Sequence, residues 1–556
     1  MSASPLSAGL RRNARSAANA WWLRRPVIAS ETLLLAVSVY FTLFCNGAFW
    51  RNVIVAPVAQ WRLAAALFIA ITAVHALLLG LFLHRSYARP VLALLILVTA
   101  FATYYMSSYG VYLDADMLRN VLNTDSKESS ELLSWSLLLP LLFAALPIAL
   151  LWRVELRRRN WKRATWVRAA FLGAMVLATT LSALASFQDL SSLVRNRREV
   201  RYLVTPANYL VSLTRVLTAS PPGQRPPRIV IGEDARLVPA AMGRKPRLLV
   251  IVVGETARAA NWGLNGYERQ TTPELAKLDV INFSNVTACG SSTEVSLPCM
   301  FSPYGRHDYD QQKIRSHQSL LHVLDRAGVH TLWRDNQSGC KGVCEGLAMQ
   351  SMDDTPDPSL CSDTRCLDEI LLKDWRKAVG ARAGDQVVLL HQLGNHGPNY
   401  FDRYPTAFRR FLPECRSNEL GQCERQTIVN AYDNALLYTD HVLASTIAEL
   451  RADTRHDTAL IYVSDHGESL GEKGLFLHGV PYAIAPSEQT HVPMVMWFSP
   501  GFAASTSLDL GCVREEAKAP ASHDNLFPSV LGLMDVQTRI YDRDRDLFAR
   551  CRRRAG

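Results

Sequence analysis

The chain has 556 residues and a formal net charge of +10. This length is too great for one ordinary domain. Long apolar runs fill the first third of the chain and none recurs after Phe187, which excludes a purely soluble protein. The positive charge requires no nucleic-acid partner, because thirteen basic residues in the segments flanking the apolar runs more than account for it.

Five apolar runs occupy residues 1–187, and each is close to the roughly 20 residues with which a helix crosses a bilayer. They lie near Val27–Asn46, Leu63–Leu83, Val91–Ser107, Trp135–Trp152 and Val167–Phe187. The first run is too long for a signal peptide and lacks a small-residue cleavage site, so it is predicted to be retained as a span. The sequence therefore predicts a five-helix transmembrane domain over 1–187.

The charged residues between the runs predict the orientation, because Lys and Arg are retained on the cytoplasmic side. The basic residues are Arg11, Arg12, Arg15, Arg24, Arg25, Arg85, Arg89, Arg153, Arg157, Arg158, Arg159, Lys162 and Arg163. The third loop is instead acidic, with Asp114, Asp116, Asp125, Glu128 and Glu131. This asymmetry predicts a cytoplasmic N-terminus and places everything after Phe187 outside the membrane.

Cysteine usage agrees with an oxidising location, since ten of the eleven cysteines follow Phe187. Neighbours in sequence suggest the pairs Cys289–Cys299, Cys340–Cys344, Cys361–Cys366 and Cys415–Cys423, with Cys512–Cys551 as a fifth. Cys45 stands alone. Close cysteines could instead bind zinc, but the absence of a Cys-x-x-Cys repeat favours disulfides.

Residues 188–228 are predicted to bridge the membrane and soluble parts. Thr205-Pro206 resembles a helix start, and apolar residues on one face follow it. The segment is expected to be an amphipathic helix at the membrane surface, or alternatively a helix packed on the soluble domain. The proline-rich stretch 220–227 is predicted to be a linker.

Residues 229–556 alternate short apolar runs with helical patterns, which predicts an α/β domain with a mostly parallel sheet. The predicted strands are Arg247–Val253, His330–Trp333, Gln386–Leu390, Ala459–Val463 and Val492–Phe498. Helices are predicted at Ser316–Ala327 and Gln426–Arg451. In such sheets the ligand site lies beyond the carboxyl ends of the strands.

Acidic and histidine residues follow three of these strands: Glu255, His396, Asp465 and His466. Two carboxylates and an imidazole suit Zn²⁺. Each acid could alternatively cap a helix, and a single histidine could be satisfied by hydrogen bonds. Helix caps do not readily explain acids and histidines after several separate strands, so the sequence predicts a metal site.

Thr293 lies between Cys289 and Cys299 at a turn that begins with glycine. A hydroxyl held there could be a nucleophile, with backbone N–H groups nearby to bind an anion. A helix cap is the alternative interpretation. As a fourth zinc ligand, the threonine would lose its proton more readily, as metal-bound water does.

Four stretches resemble the lipid A phosphoethanolamine transferase family of the alkaline phosphatase and sulfatase superfamily, which includes the mobile colistin-resistance enzymes. They are Val252–Leu275, Asn285–Ser302, Asn395–Pro398 and Ser464–Pro486. The similarity covers nearly the whole chain. It implies an α-helical membrane domain of five transmembrane helices and a periplasmic catalytic domain (229–556) of alkaline phosphatase-like α/β fold, in the bacterial inner membrane.

The resemblance also implies roles for individual residues. Thr293 would be the nucleophile that becomes modified, and Glu255, Thr293, Asp465 and His466 would hold the catalytic Zn²⁺. His396 and His478 would lie beside the phosphoryl group, as hydrogen-bonding partners or as ligands of a second zinc. The residues expected to contact substrate are Ser338, Lys341, Asn120, Thr124 and Glu128, although the last three are also common residue types in loops and caps.

The implied reaction moves phosphoethanolamine from phosphatidylethanolamine to a lipid A or lipopolysaccharide phosphate and releases diacylglycerol. Polymyxin resistance would follow, and a monomer in the bilayer is expected. The alternatives are a core-sugar heptose acceptor, a glycerol phosphate donor or a membrane-anchored phosphodiesterase. A transporter is disfavoured, because among intramembrane ionisable residues only Glu31 and His75 stand out, without an evident partner.

Overall fold

The computed structural model describes residues 25–124, 126–219, 227–239, 243–352, 357–362 and 365–552. The chain divides into two compact units, Met1–Ser107 with Trp135–Leu210, and Ser108–Ser134 with Val211–Gly556. The acidic third loop thus groups with the second unit. The sequence-based domains 1–187, 188–228 and 229–556 stay a prediction. Arg11, Arg12, Arg15, Arg24, Asp125 and most of the predicted linker lie outside the described residues.

Ten α-helices lie among the described residues up to 219. In chain order they are α1 (Ser30–Phe44), α2 (Gly47–Val53), α3 (Trp61–Phe82), α4 (Ala88–Tyr109), α5 (Ala115–Asn123), α6 (Ser126–Glu131), α7 (Leu138–Arg153), α8 (Trp161–Ala185), α9 (Phe187–Asn196) and α10 (Ala207–Ala219). Two short strands, β1 (Val27–Ile28) and β2 (Glu155–Leu156), pair in parallel.

Four described segments are long and apolar enough to cross a membrane: α3, α4, Trp135–Arg153 and α8. The pair α1 and α2 is bent by 57° and makes a fifth span if it is counted as one. At the bend the Asn46 amide donates to the carbonyl of Phe41 and to that of Thr205, both at 2.8 Å. The predicted five-helix membrane domain agrees with this count.

Two contacts in the membrane unit differ from the sequence-based expectation. Glu31 has partners after all, because Arg159 lies 2.7 Å from its carboxylate and Arg168 lies 3.4 Å from it. The Thr205 hydroxyl donates to the Cys45 carbonyl at 2.7 Å rather than capping α10. The partners Arg159, Arg168 and Cys45 all lie more than 100 residues away from the side chains that they contact. Local sequence patterns therefore did not indicate these contacts.

An eight-stranded sheet forms the centre of the second unit, with the order β13-β5-β12-β9-β4-β8-β6-β7. Its strands are β4 (Arg247–Gly254), β5 (Ile281–Thr287), β6 (His330–Asp335), β7 (Met349–Ser351), β8 (Gln386–His391), β9 (Asp457–Ser464), β12 (His491–Phe498) and β13 (Ala521–Ser522). Only β12 runs antiparallel to its neighbours. The predicted mostly parallel α/β fold is confirmed.

Two further pairs of two-residue strands lie outside this sheet: β3 (Arg236–Leu237) with β14 (Val536–Gln537), and β10 (Ser469–Leu470) with β11 (Phe476–Leu477). The helices are α11 (Thr293–Met300), α12 (Gln311–Ser316), α13 (Leu320–Arg326), α14 (Trp375–Gly380), α15 (Arg425–Arg451), α16 (Ser487–Thr490), α17 (Pro500–Ser505), α18 (Leu510–Glu516) and α19 (Leu526–Leu533).

The five predicted strands all form, but the sheet also contains β5, β7 and β13, which the sequence did not predict. Strands β7 and β13 are only three and two residues long. Only Ile281, Phe283 and Val286 of β5 are buried, so this strand lacks the continuous apolar run that marks a fully buried strand. The predicted helix Ser316–Ala327 begins later, at Leu320, because the Ser319 hydroxyl accepts a hydrogen bond from the Leu321 N–H and caps it.

The five predicted disulfides are present: Cys289–Cys299, Cys340–Cys344, Cys361–Cys366, Cys415–Cys423 and Cys512–Cys551. Cys45 is free and buried. In sequence, Thr293 lies between the cysteines of the first pair and Lys341 between those of the second. The alternative that close cysteines bind zinc is therefore not needed.

Alternate side chains of β4 enter two hydrophobic cores, one on each face of the sheet. Leu249, Ile251 and Val253 belong to one core, whereas Leu248 and Val250 belong to the other. All eight residues of β4 are buried. A strand buried on both faces is what a parallel sheet covered by helices requires, and it fixes the position of the strand ends.

We expect Ile251→Ala to lower the free energy of unfolding by about 2–5 kcal/mol, because it removes buried methyl groups and leaves a cavity in the core. Thermal or denaturant unfolding of the purified chain measures the loss. Ile229→Ala is the matched control, since Ile229 is 54% exposed while Ile251 is fully buried. Equal effects of the two substitutions would contradict the assignment of β4 to the core.

Candidate active site

Two neighbouring strands place three ionisable side chains together. Glu255 follows β4, and Asp465 and His466 follow β9, with Gly254 paired to Ser464 at the strand ends. Residue 254 must be glycine, because a Cβ there would lie 2.5 Å from the Tyr462 hydroxyl. The three side chains are fully buried, and ligand atoms from all three lie within 4.8 Å of one another.

Thr293 completes this group from a different element. It is the first residue of α11, and its hydroxyl lies 3.1 and 3.0 Å from the two oxygens of Glu255 and 3.2 Å from His466 Nε2. Ser292 occupies the N-cap position. The hydroxyl of Thr293 therefore faces the carboxylate rather than capping the helix, which was the alternative interpretation.

The turn before Thr293 is tightly built. A Cβ on Gly290 would lie 2.8 Å from the Ser296 backbone nitrogen, so glycine is required by close approach. The Ser296 hydroxyl donates to the Asp465 carbonyl, and the Cys289 N–H donates to His523 Nδ1 at 3.0 Å. These contacts hold the start of α11 against the end of β9.

Burial and charge shift the pKa values of the three groups in different directions. Burial would raise the pKa of Glu255, but the hydrogen bond and charge of His466 lower it well below the ordinary value. Burial and the charge of Glu255 raise the pKa of Asp465. Burial would lower the pKa of His466, yet Asp465 and Glu255 raise it to about 10.

These residues fit a zinc ion. The donor set comprises two carboxylates, one imidazole and one hydroxyl, and zinc accepts such oxygen and nitrogen ligands in four-coordinate sites. Asp465 Oδ2 is buried and has no hydrogen-bond partner among the described residues. A buried carboxylate oxygen without a partner is costly, and a cation bound between the two acids would satisfy it.

His478 lies beside this group and is oriented by a carboxylate. Its ring centroid is 4.4 Å from that of His466 and 5.5 Å from that of His396. Nδ1 of His478 lies 2.8 Å from Glu468, which also accepts a 2.6 Å hydrogen bond from the Tyr400 hydroxyl. Sequence reasoning missed Glu468, although its place two residues after His466 was a usable signal.

His396 is held by the acidic segment of residues 108–134. Glu128 lies 3.4 Å from His396 Nε2. Burial would raise the pKa of Glu128, but the hydrogen bond and charge of His396 lower it to about 2. Arg403 donates to the His396 carbonyl at 2.7 Å and forms an ion pair with the buried Glu131. Helix α6 is thereby fastened beside His396 by two acid–base contacts.

Ser338 and Lys341 lie close together. Lys341 is inside the loop that the Cys340–Cys344 disulfide closes, and Ser338 comes just before that loop. Lys341 Nζ donates to the Ser338 hydroxyl at 2.7 Å, and its charge also contributes to the lowered pKa of Glu128. Gln337 connects this loop to the metal-ligand group, because its amide donates to Glu255 at 3.3 Å. Sequence reasoning missed Gln337, since glutamine is common on surfaces.

Asn120 and Thr124 form a hydrogen bond with each other, within one turn of helix. Thr124 is the C-cap residue of α5, and its hydroxyl donates to the Asn120 carbonyl at 2.8 Å, which agrees with the structural alternative for Thr124. Asn123, on the same helix, donates to Glu294 at 3.1 Å, next to Thr293 in sequence. The helix therefore contacts the start of α11 through Asn123, a residue that the sequence did not single out.

Comparison with known proteins covers both parts of the chain. The family model described as Sulfatase matches residues 247–536, and the model described as Phosphoethanolamine transferase EptA/EptB matches residues 71–220. The chain is 36% identical over 541 residues to phosphoethanolamine transferase EptA of Escherichia coli strain K12, covering 96% of this chain and 98% of the relative. It is 37% identical over 545 residues to phosphatidylethanolamine transferase Mcr-1 of Escherichia coli, covering 95% and 99%.

A solved structure matches as extensively. The integral membrane protein lipooligosaccharide phosphoethanolamine transferase A from Neisseria meningitidis has a TM-score of 0.91 and 35% sequence identity, covering 95% of this chain and all of that one. Both units of the chain thus have counterparts in one protein. The chain belongs to the lipid A phosphoethanolamine transferase family, within the alkaline phosphatase and sulfatase superfamily.

Proposed function

We propose that this chain transfers phosphoethanolamine from phosphatidylethanolamine to a phosphate of lipid A, through a phosphothreonine at Thr293. The observation that carries the proposal is the buried Thr293 hydroxyl facing Glu255 and His466, in a chain that matches phosphoethanolamine transferases along 96% of its length. The donor is a bilayer lipid, which accounts for the membrane spans. The protein would lie in the bacterial inner membrane, with the second unit in the periplasm.

Glu255, Thr293, Asp465 and His466 would hold Zn²⁺. When bound, the ion lowers the pKa of an attached hydroxyl and offsets charge on the phosphoryl oxygens. The two carboxylates supply the negative charge that a divalent cation requires. His396 and His478 would contact the phosphoryl group or a second ion.

In the first step Thr293 Oγ1 forms a bond to phosphorus as the bond from phosphorus to the diacylglycerol oxygen breaks. With Zn²⁺ in place the hydroxyl proton of Thr293 would be lost to solvent, because the lowered pKa of Glu255 makes this carboxylate a weak base. The two oxygens of Glu255 orient the hydroxyl. His396, whose pKa is raised by Glu128 despite its burial, donates a proton to the leaving oxygen. Diacylglycerol is released and phosphoethanolamine stays on the threonine.

In the second step an oxygen of the lipid A phosphate attacks the phosphothreonine. The bond between phosphorus and Thr293 Oγ1 breaks, and the threonine oxygen regains a proton from solvent. The proton of the attacking phosphate hydroxyl returns to His396. Lys341 and Ser338 would bind phosphoryl oxygens, while Glu128, with Asn120 and Thr124 on the preceding helix, would attract the ammonium of the ethanolamine. The product carries fewer net negative charges, which would reduce binding of polymyxin and other cationic peptides.

We expect Thr293→Ala to reduce transfer by about 10³-fold or more, because the substitution removes the atom that forms the covalent intermediate. Mass spectrometry of lipid A from cells that express the variant measures the loss. Thr293→Ser is the matched control, since it keeps a hydroxyl and should retain part of the activity. Full activity of the alanine variant, with an unchanged unfolding midpoint, would refute the mechanism.

Removal of zinc by a chelator should abolish transfer and lower the unfolding midpoint, because a ligand that binds only the folded state stabilises it. Elemental analysis of the purified chain measures the number of ions. Asp465→Asn should reduce the bound zinc, whereas Asp308→Asn, at an exposed surface ion pair, should not. An unchanged zinc content in Asp465→Asn would contradict the assignment of this residue as a ligand.

We expect Glu468→Gln to lower the rate of transfer about 10–100-fold, because it removes the carboxylate that orients His478. The loss should appear in kcat rather than in KM, since the imidazole keeps its place but loses the carboxylate that orients it. Glu488→Gln is the control in the same polypeptide stretch, because its carboxylate accepts a solvent-exposed hydrogen bond from the Ser487 hydroxyl. An unchanged kcat, or a loss that is accompanied by a lower unfolding midpoint, would assign Glu468 a purely structural role.

Tandem mass spectrometry of lipid A and core sugars identifies the acceptor. One phosphoethanolamine on a lipid A phosphate supports the proposal, whereas one on a heptose would support the alternative acceptor. Free phosphoethanolamine without any modified lipid would indicate a phosphodiesterase.

A further inference from the structure

A cavity of about 620 Å³ lies in the membrane unit, among the first residues of α1, the end of α3 with the loop that follows, and the start of α8. The charge pattern predicts the cytoplasm at these helix ends. The ionisable residues that line the cavity are Glu31, His84, Arg85, Arg157, Arg159 and Arg168. The residues proposed for catalysis all belong to the other unit. The proposed reaction therefore does not use this cavity.

The cavity carries more positive than negative charge. Its one carboxylate, Glu31, is shared between Arg159 and Arg168. Arg85 and Arg157 are exposed and form no ion pair within the described part of the chain. Residues 1–24, which precede the described part of the chain, contain no Asp or Glu. Two guanidinium groups therefore remain available for an anion.

Most of the other lining residues are apolar, and several of them face outward. Leu81, Phe82 and Trp161 line the cavity and are 58%, 72% and 74% exposed, as expected for side chains that contact lipid. Trp161 and Tyr87 are the aromatic types that are enriched at the level of lipid headgroups. An occupant that suits this lining has an anionic head and an apolar tail.

We propose that this cavity binds the phosphate headgroup of an anionic phospholipid of the cytoplasmic leaflet, with Arg85 and Arg157 as its free cations. Basic pockets between transmembrane helices on the cytoplasmic side bind such headgroups, and a guanidinium donates two parallel hydrogen bonds to phosphate. Phosphatidylethanolamine suits the cavity poorly, because its ammonium would lie among like charges. The lipid bound here is therefore distinct from the proposed donor.

The test uses the full chain in detergent and native mass spectrometry with added phosphatidylglycerol, phosphatidylethanolamine, phosphatidylcholine or inorganic phosphate. Phosphatidylglycerol should bind more tightly than the two zwitterionic lipids. The double variant Arg85→Gln/Arg157→Gln should weaken its binding about fivefold for each charge removed. Both substitutions leave the ion pairs of Glu31 intact.

Arg158→Gln/Arg163→Gln is the matched control, because both arginines are exposed on the same side and neither lines the cavity. It should change the affinity less than twofold. Equal losses in the two double variants, or no loss in either, would overturn the proposal. So would equal affinity for phosphatidylethanolamine, or complete displacement of the lipid by inorganic phosphate at equal concentration, which would indicate a free-anion site.

The unfolding midpoint in phosphatidylcholine nanodiscs checks that each variant is folded. If the double variant of the cavity does not fold, the single variants Arg85→Gln and Arg157→Gln are compared with Arg158→Gln and Arg163→Gln in the same titration. A loss confined to the cavity positions supports the site, and losses that do not depend on position refute it.

Discussion

The burial of Glu255 and Asp465 side by side is the constraint on which the active-site region depends. Removing an ionised carboxylate from water costs several kcal/mol even after the protein relaxes, and two like charges raise each other's pKa. The chain places both acids at the ends of adjacent parallel strands, where the pairing of Gly254 with Ser464 prevents them from moving apart. One imidazole and one hydroxyl face them, and a divalent cation would offset the remaining charge.

The surrounding elements hold groups against this pair of acids. Thr293 is positioned by a helix start, a glycine turn and a disulfide, while Glu468 holds His478 through a short hydrogen bond. The acidic segment 108–134 contributes Glu128 and Glu131, which pair with His396 and Arg403. A stretch that lies between predicted membrane spans in sequence is thus part of the unit that carries the catalytic candidates.

The membrane unit uses the same electrostatic rule. Glu31 is buried at the start of α1, and two arginines from distant parts of the sequence compensate it. The positive charge left beside this pair is what makes the adjacent cavity a candidate for an anionic headgroup. In both units a buried acid is compensated by basic side chains from distant parts of the sequence: Glu31 by Arg159 and Arg168, and Glu255 by His466.

The sequence by itself determined the spans, the parallel sheet and the disulfide pairs, because apolar periodicity and cysteine spacing are local patterns. It also indicated Glu255, Asp465 and His466, because acids and histidines directly after buried strands must meet at one edge of a parallel sheet. It missed β5, because only three of its seven residues are buried.

Only the tertiary structure decided which of several nearby polar residues touch one another. Thr293 faces Glu255 across 38 residues of sequence, Glu128 reaches His396, and Gln337 reaches Glu255. Glu468, Arg403 and the partners of Glu31 emerged in the same way. These contacts depend on how the loops pack once the strands are paired. A local sequence pattern cannot predict a hydrogen bond between two residues that only the folding of the chain brings together.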